Sequence, residues 1–102
     1  MTVEQGHLRG HEVIDVDGEV VGTVSDVFYD DHLNRPKWLV VDPGVFRKER
    51  LVPIDGAYET DDGKIVLPYD KRWVKNGPTV SGDHYPDRAT TQLASQHYEI
   101  DS

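Results

Sequence analysis

In the stretch DVDGEVVGTVSDVFYDD, Asp15 to Asp31, the alternation of apolar and polar residues slips. Val20, Gly22 and Val24 lie two apart, as do Val27 and Tyr29, but the step from Val24 to Val27 is three. Successive side chains of a strand point to opposite faces, so an odd step exchanges one face for the other. One extra residue near Ser25-Asp26, a β-bulge, accounts for the step, and a bulge bends and twists the strand that carries it. The pattern predicts a sheet that curls toward a barrel. Gly22 suits the same corner because it has no side chain to clash.

Around this strand, short β-rich runs alternate with turn signals from residue 12 to residue 69. Val13, Ile14 and Val16 lead into Asp17-Gly18, a dipeptide favouring the positive φ of a tight hairpin turn. HLNRP, His32 to Pro36, reads as a loop. The run from Trp38 to Val41 is nearly continuously apolar, as expected of a central, well-buried strand. In LVPID, Leu51, Val52 and Ile54 are expected to be buried, while Pro53 lacks an N–H and places the strand at an edge or a bulge. Asp61-Asp62-Gly63 is a second hairpin turn, pairing Ala57 to Thr60 with Lys64 to Leu67. Five or six strands result. Beyond Pro68, Asp70 is a candidate N-cap and Gly77-Pro78 a stop, which predicts one or two helical turns. RATTQLASQHY is expected to form a weak helix with Ala89, Leu93 and Tyr98 or His97 on its apolar side.

The length of 102 residues fits one domain. With 36% hydrophobic and 9% aromatic residues, the core is expected to be small. The 19 acidic residues against 11 Lys and Arg give a net charge of −8, which argues against nucleic acid or anionic lipid as direct partners. Without cysteine, disulfides and thiol chemistry are excluded. MTVEQGHLRG has no apolar core of a signal peptide, and no run approaches the ~20 apolar residues of a membrane span. A cytoplasmic protein without membrane insertion is expected.

The segments GHEVIDVDGEVVGTVSDVFYD, PKWLVVD, RLVPID, GKIVLP and DKRWVKNGP together resemble the PRC-barrel family, a small β-barrel domain found in the photosynthetic reaction-centre H subunit and in a ribosome-maturation protein. The resemblance covers residues 8–80, leaving 1–7 as a flexible N-terminus and 81–102 as a loosely attached polar tail with four acids against Arg88. It implies a mainly antiparallel, all-β barrel with a short C-terminal helix. It also implies a scaffold or protein-interaction role without catalysis or cofactor. Its structural motif comprises Asp17, Gly18, Gly22, Asp26, Asp55 and Gly63, with Asp26 and Asp55 as recurring barrel positions.

Candidate chemistry is sparse. Asp30-Asp31-His32 concentrates metal-ligand types, but a complete site needs further ligands, and a solvated loop explains it. His7 and His11 have the i, i+4 spacing of helical zinc ligands, yet Gly10 and the adjoining strand oppose a helix. Asp26 and Asp55 as a buried acid pair would resemble a general acid–base site; backbone N–H groups at a bulge or strand end explain each more simply. Tyr29, Trp38, Tyr69 and Trp73 are candidates for a cation cage, against the simpler reading of core packing. Basic residues in RKER and DKRWVK can meet an acidic partner or simply face water. Self-association is expected, since open barrels leave strand edges. Its candidate interface is Val45, Phe46 and Trp73. An accessory factor docking on a ribonucleoprotein through protein contacts is the second expectation.

Overall fold

A computed structural model describes residues 8–30, 35–44, 48–80 and 87–99. Its elements are β1 (Glu12–Ile14), β2 (Val20–Asp30), β3 (Arg35–Asp42), β4 (Glu49–Pro53), β5 (Tyr58–Glu59), β6 (Ile65–Val66), α1 (Lys71–Lys75), β7 (Thr79–Val80) and α2 (Arg88–His97). The strands form one sheet in the order β5-β6-β1-β2-β3-β4-β7. All neighbours are antiparallel except β1 and β6. The fold is a mainly β, PRC-barrel-like sheet with short helices. Among the described residues seven strands stand where five or six were expected; β7, two residues long, follows the Gly77-Pro78 stop signal.

The turns are local in origin. Asp15 N–H donates to Glu19 O at 2.8 Å to close the first hairpin, and Gly18 takes a φ of +87° there. Gly63 does likewise in the second hairpin, where Thr60 N–H donates to Lys64 O at 2.8 Å. Pro53 costs no ladder bond. Ile54 N–H points to β3, bonding Lys37 O, whereas Leu51 N–H points away, bonding Pro78 O. By alternation the Pro53 nitrogen also points away from β3, on a side where β7 pairs only with Glu49 and Arg50.

The long strand β2 carries more irregularity than its apolar spacing predicts. Val24 lies opposite Val41 and Asp26 opposite Val40, so Ser25 is the extra residue of the expected bulge. A second shift faces β1: Val13 lies opposite Gly22 and Ile14 opposite Val20, leaving Val21 as an extra residue. That second bulge turns Val21 inward to 6% exposure and sends Val20 outward to 49%. The inward series is therefore Val21, Val24 and Val27, not one beginning at Val20.

Core residues lie on both faces of the sheet. Along β3, Leu39 and Val41 join Leu8, Val13, Val52, Leu67 and Val74 on one face, while Trp38 and Val40 join Leu51 and Ala94 on the other. This double coverage explains the continuous apolar run. Each fully buried Leu stabilises the fold by about 1.5–3 kcal/mol relative to exposure. Helix α2 starts at Asp87, whose carboxylate accepts the Thr90 N–H at 2.8 Å. It buries Ala94, Ser95 and, just past its end, Tyr98, whereas Ala89 and Leu93 face solvent. Its inward face thus differs from the expected one, and the helix is docked on the sheet instead of hanging loosely from it.

Candidate functional site

The short helix α1 is anchored from two directions. Asp70 caps it, its carboxylate accepting the Trp73 N–H at 2.7 Å. Asp15, only 2% exposed, is the second anchor: Oδ1 accepts the N–H groups of Asp17 at 2.9 Å and Glu19 at 2.8 Å, and Oδ2 accepts that of Lys71 at 2.8 Å. Burial pushes the Asp15 carboxyl pKa up, but backbone N–H bonds from Glu19, Lys71, Asp17 and Gly18 outweigh burial and hold it below the ordinary aspartate value. Asp15 was not singled out in the sequence, where it reads as one more turn acid.

Helices α1 and α2 clasp each other. The Trp73 indole Nε1–H donates to His97 O at 2.9 Å, and His97 Nε2 donates to Trp73 O at 2.7 Å. Tyr69 and Tyr98 complete an aromatic cluster: ring centroids are 4.6 Å apart between the two tyrosines and 5.3 Å between Tyr69 and Trp73. Burial, reinforced by Tyr69, pushes the Tyr98 hydroxyl pKa well above the ordinary value. The Tyr98 hydroxyl has no hydrogen-bond partner among the described residues.

Among the expected site residues, Asp17 and Gly18 form the first hairpin turn and Gly63 the second. Gly22 packs directly on the Asp42 carbonyl of β3. Asp26 sits at the bulge, its Oδ1 accepting the Val27 N–H at 2.9 Å and pairing with Arg9 at 2.6 Å. Asp55 occupies an exposed turn closed by Ala57 N–H on Ile54 O. Asp26 lies level with Val40 on β3, whereas Asp55 lies two residues past Pro53, which is level with Trp38. The two carboxylates are thus separated by roughly 10 Å or more along β3 and sit two strands apart, too far for an acid pair.

The four aromatics of the supposed cage do not gather at one point, and Tyr29 lies on β2 opposite Pro36. Trp38 is buried under α2, while Tyr69 and Trp73 pack with Tyr98. Trp73 is half-buried against α2 of its own chain, and Val45 and Phe46 lie outside the described residues, as do His7, Asp31 and His32. His11 bonds the Gly63 carbonyl through Nδ1 and stands 3.7 Å from Glu59. Among the described residues no three His, Asp or Glu gather as a metal site, and no helix is long and apolar enough to cross a membrane.

No curated protein sequence matches the chain. Its fold is similar to the crystal structure of a Pseudomonas aeruginosa protein described as the 16S ribosomal RNA processing protein RimM, with a TM-score of 0.54 and 22% identity. The match covers 69% of this chain and 45% of that one, so this chain spans under half the length of that protein. The PRC-barrel domain pattern matches residues 3–74, well over half of the sequence, and the chain belongs to the PRC-barrel domain family.

Proposed function

We propose that the chain is a non-enzymatic protein-interaction module of the cytoplasm that associates with a second copy of itself. The observation that carries this reading is the end of the sheet at β5, a short edge strand presenting Tyr58 at 59% exposure. An edge strand offers backbone N–H and C=O groups to an added strand, and an aromatic beside it supplies apolar area. Val45 and Phe46, apolar residues in an otherwise polar connection, are the second proposed contact. Trp73 is already engaged with α2 of its own chain and contributes little to such a surface. Light scattering coupled to size-exclusion chromatography tests the proposal on the parent chain and on Tyr58→Asp and Phe46→Asp. A parent of two-chain mass that one variant reduces to single-chain mass supports it and locates the surface. A parent of single-chain mass at high concentration overturns it.

The likeness to RimM favours a second reading, in which the module docks on a ribonucleoprotein through protein contacts. Copurification of the tagged chain with ribosomal particles at low salt, retained after ribonuclease trimming of exposed RNA, would support that reading. Its absence from those fractions would remove it.

A further inference from the structure

A cleft of ≈ 420 Å³ opens between β2, β4 and α1, with walls that include Val20, Val21 and Val74 and with Arg50, Lys71 and Lys75 around it. That volume falls within the ~300–1,000 Å³ of small-molecule sites. Three cationic residues line this cleft on a chain whose net charge is −8. No carboxylate of the described residues stands within ion-pair distance of any of them. Arg50 spends one N–H on a long 3.4 Å bond to Gly77 O, leaving most of its fork for another acceptor.

Helix stability explains only part of this placement: Lys75 lies in the last turn, where a cation suits the helix dipole, but Lys71 does not. Lys71 and Lys75 are i, i+4 neighbours of like charge, and Lys71 begins a helix whose first turn holds no acid. A cation at the first helical position and a like-charge i, i+4 pair both oppose a short helix, although the Asp70 cap offsets the first. The Val21 bulge adds a further departure, since it turns Val20 outward onto the cleft wall. Departures from local rules concentrate at functional or strained sites, and here they border a cleft.

We propose that this cleft binds a small molecule carrying a phosphate-type anion on an apolar body. Arg50, Lys71 and Lys75 hold the anion, and the outward-turned Val20 faces the body, with Val21 and Val74 forming the buried floor. Three cations match the charge of a phosphate monoester, close to −2 at neutral pH, better than that of a single carboxylate. A guanidinium fork also fits two phosphate oxygens at once. The acidic remainder of the surface disfavours long polyanions, but salt screens it over about 8 Å, so a small anion senses mainly the cleft.

The test is a titration of the full isotope-labelled chain with phenyl phosphate, followed by amide NMR, with benzoate, phenol and a polyglutamate peptide as comparisons. Saturable shifts around Gly22, Arg50 and residues 71–75 are expected, strongest for phenyl phosphate. The double variant Lys71→Gln/Lys75→Gln should weaken binding by about fivefold or more. Its melting temperature should stay equal or rise, because the variant removes a like-charge pair and keeps the Lys71 backbone N–H on Asp15. Absence of saturable shifts, unchanged affinity in that variant, or benzoate or polyglutamate binding as tightly as phenyl phosphate would each overturn the proposal.

Discussion

Asp15 Oδ2 accepts the backbone N–H of Lys71 at 2.8 Å, joining the first hairpin to α1 across 56 positions of sequence. The same carboxylate holds the hairpin turn through Asp17 and Glu19, so one buried charge organises two elements. Asp15→Ala leaves three N–H groups without their acceptor. It should cost about 3 kcal/mol and lower the melting temperature by more than about 10 °C. Asp15→Asn should cost about 2 kcal/mol, since its amide nitrogen must face one of those donors. Urea unfolding of both variants checks the order.

The acid response follows from the same group. Its folded pKa lies below the unfolded value of ~3.9, so its contribution is complete above that value and is lost as pH falls through the folded pKa. Stability of the parent should drop more steeply below about pH 4 than that of Asp15→Asn, which has no proton to take up there. Parallel acid profiles would show that Asp15 is not the group responsible.

Gly22 stands where β2 runs closest to β3. A Cβ there would overlap the Asp42 carbonyl oxygen and stand 2.8 Å from its carbon, and backbone atoms cannot swing aside. Gly22→Ala should therefore destabilise by about 3 kcal/mol through strand separation. Gly18→Ala meets no atom within 4 Å and bears only the strain of a φ of +87°, about 1–2 kcal/mol. Equal losses at the two positions would show that the strands part easily at Gly22.

What could be read from sequence follows the range of the interactions involved. Asp17-Gly18 and Asp62-Gly63 bring their turn geometry with them, and Asp70 finds its Trp73 N–H three residues on, so these features were legible. The Trp38–Val41 run was legible because burial on both faces leaves no polar position in it. The outward turn of Val20 was not, since the bulge at Val21 exists only against the register of β1. Nor was the role of Asp15, whose decisive partner comes from α1. In α2, Leu93 is the stronger apolar signal, yet it is Ala94 that packs with Trp38, Val40 and Leu51.

Tyr98 buries a hydroxyl with no partner among the described residues while its ring packs on Tyr69. Tyr98→Phe keeps the ring and removes the desolvated hydroxyl, so it should stabilise by about 1 kcal/mol and raise the melting temperature by ~4–8 °C. Burial holds the folded pKa above the unfolded value of ~10. This contribution is complete below ~10 and is lost as pH rises through the folded pKa, so the parent should weaken more than Tyr98→Phe in alkali. A destabilised Phe variant would mean that the hydroxyl is bonded after all.

Helix α2 offers the sharpest contrast between adjacent residues. Ala94 is fully buried against the cluster of Trp38, Val40 and Leu51, while Leu93, the residue before it, is 58% exposed. Ala94→Asp drives a carboxylate into that cluster, which costs more than the short helix can sustain, so α2 should undock and expose Trp38. Leu93→Asp should change stability by no more than about 0.5 kcal/mol, as expected of a surface exchange. Tryptophan fluorescence separates the two: a red shift for Ala94→Asp, matched by a chain ending at Val80, and none for Leu93→Asp. Trp73 adds to that shift, because the same undocking breaks its bond to His97 O. Equal red shifts in the two variants would instead place Leu93 on the packed face and reverse the orientation of the helix.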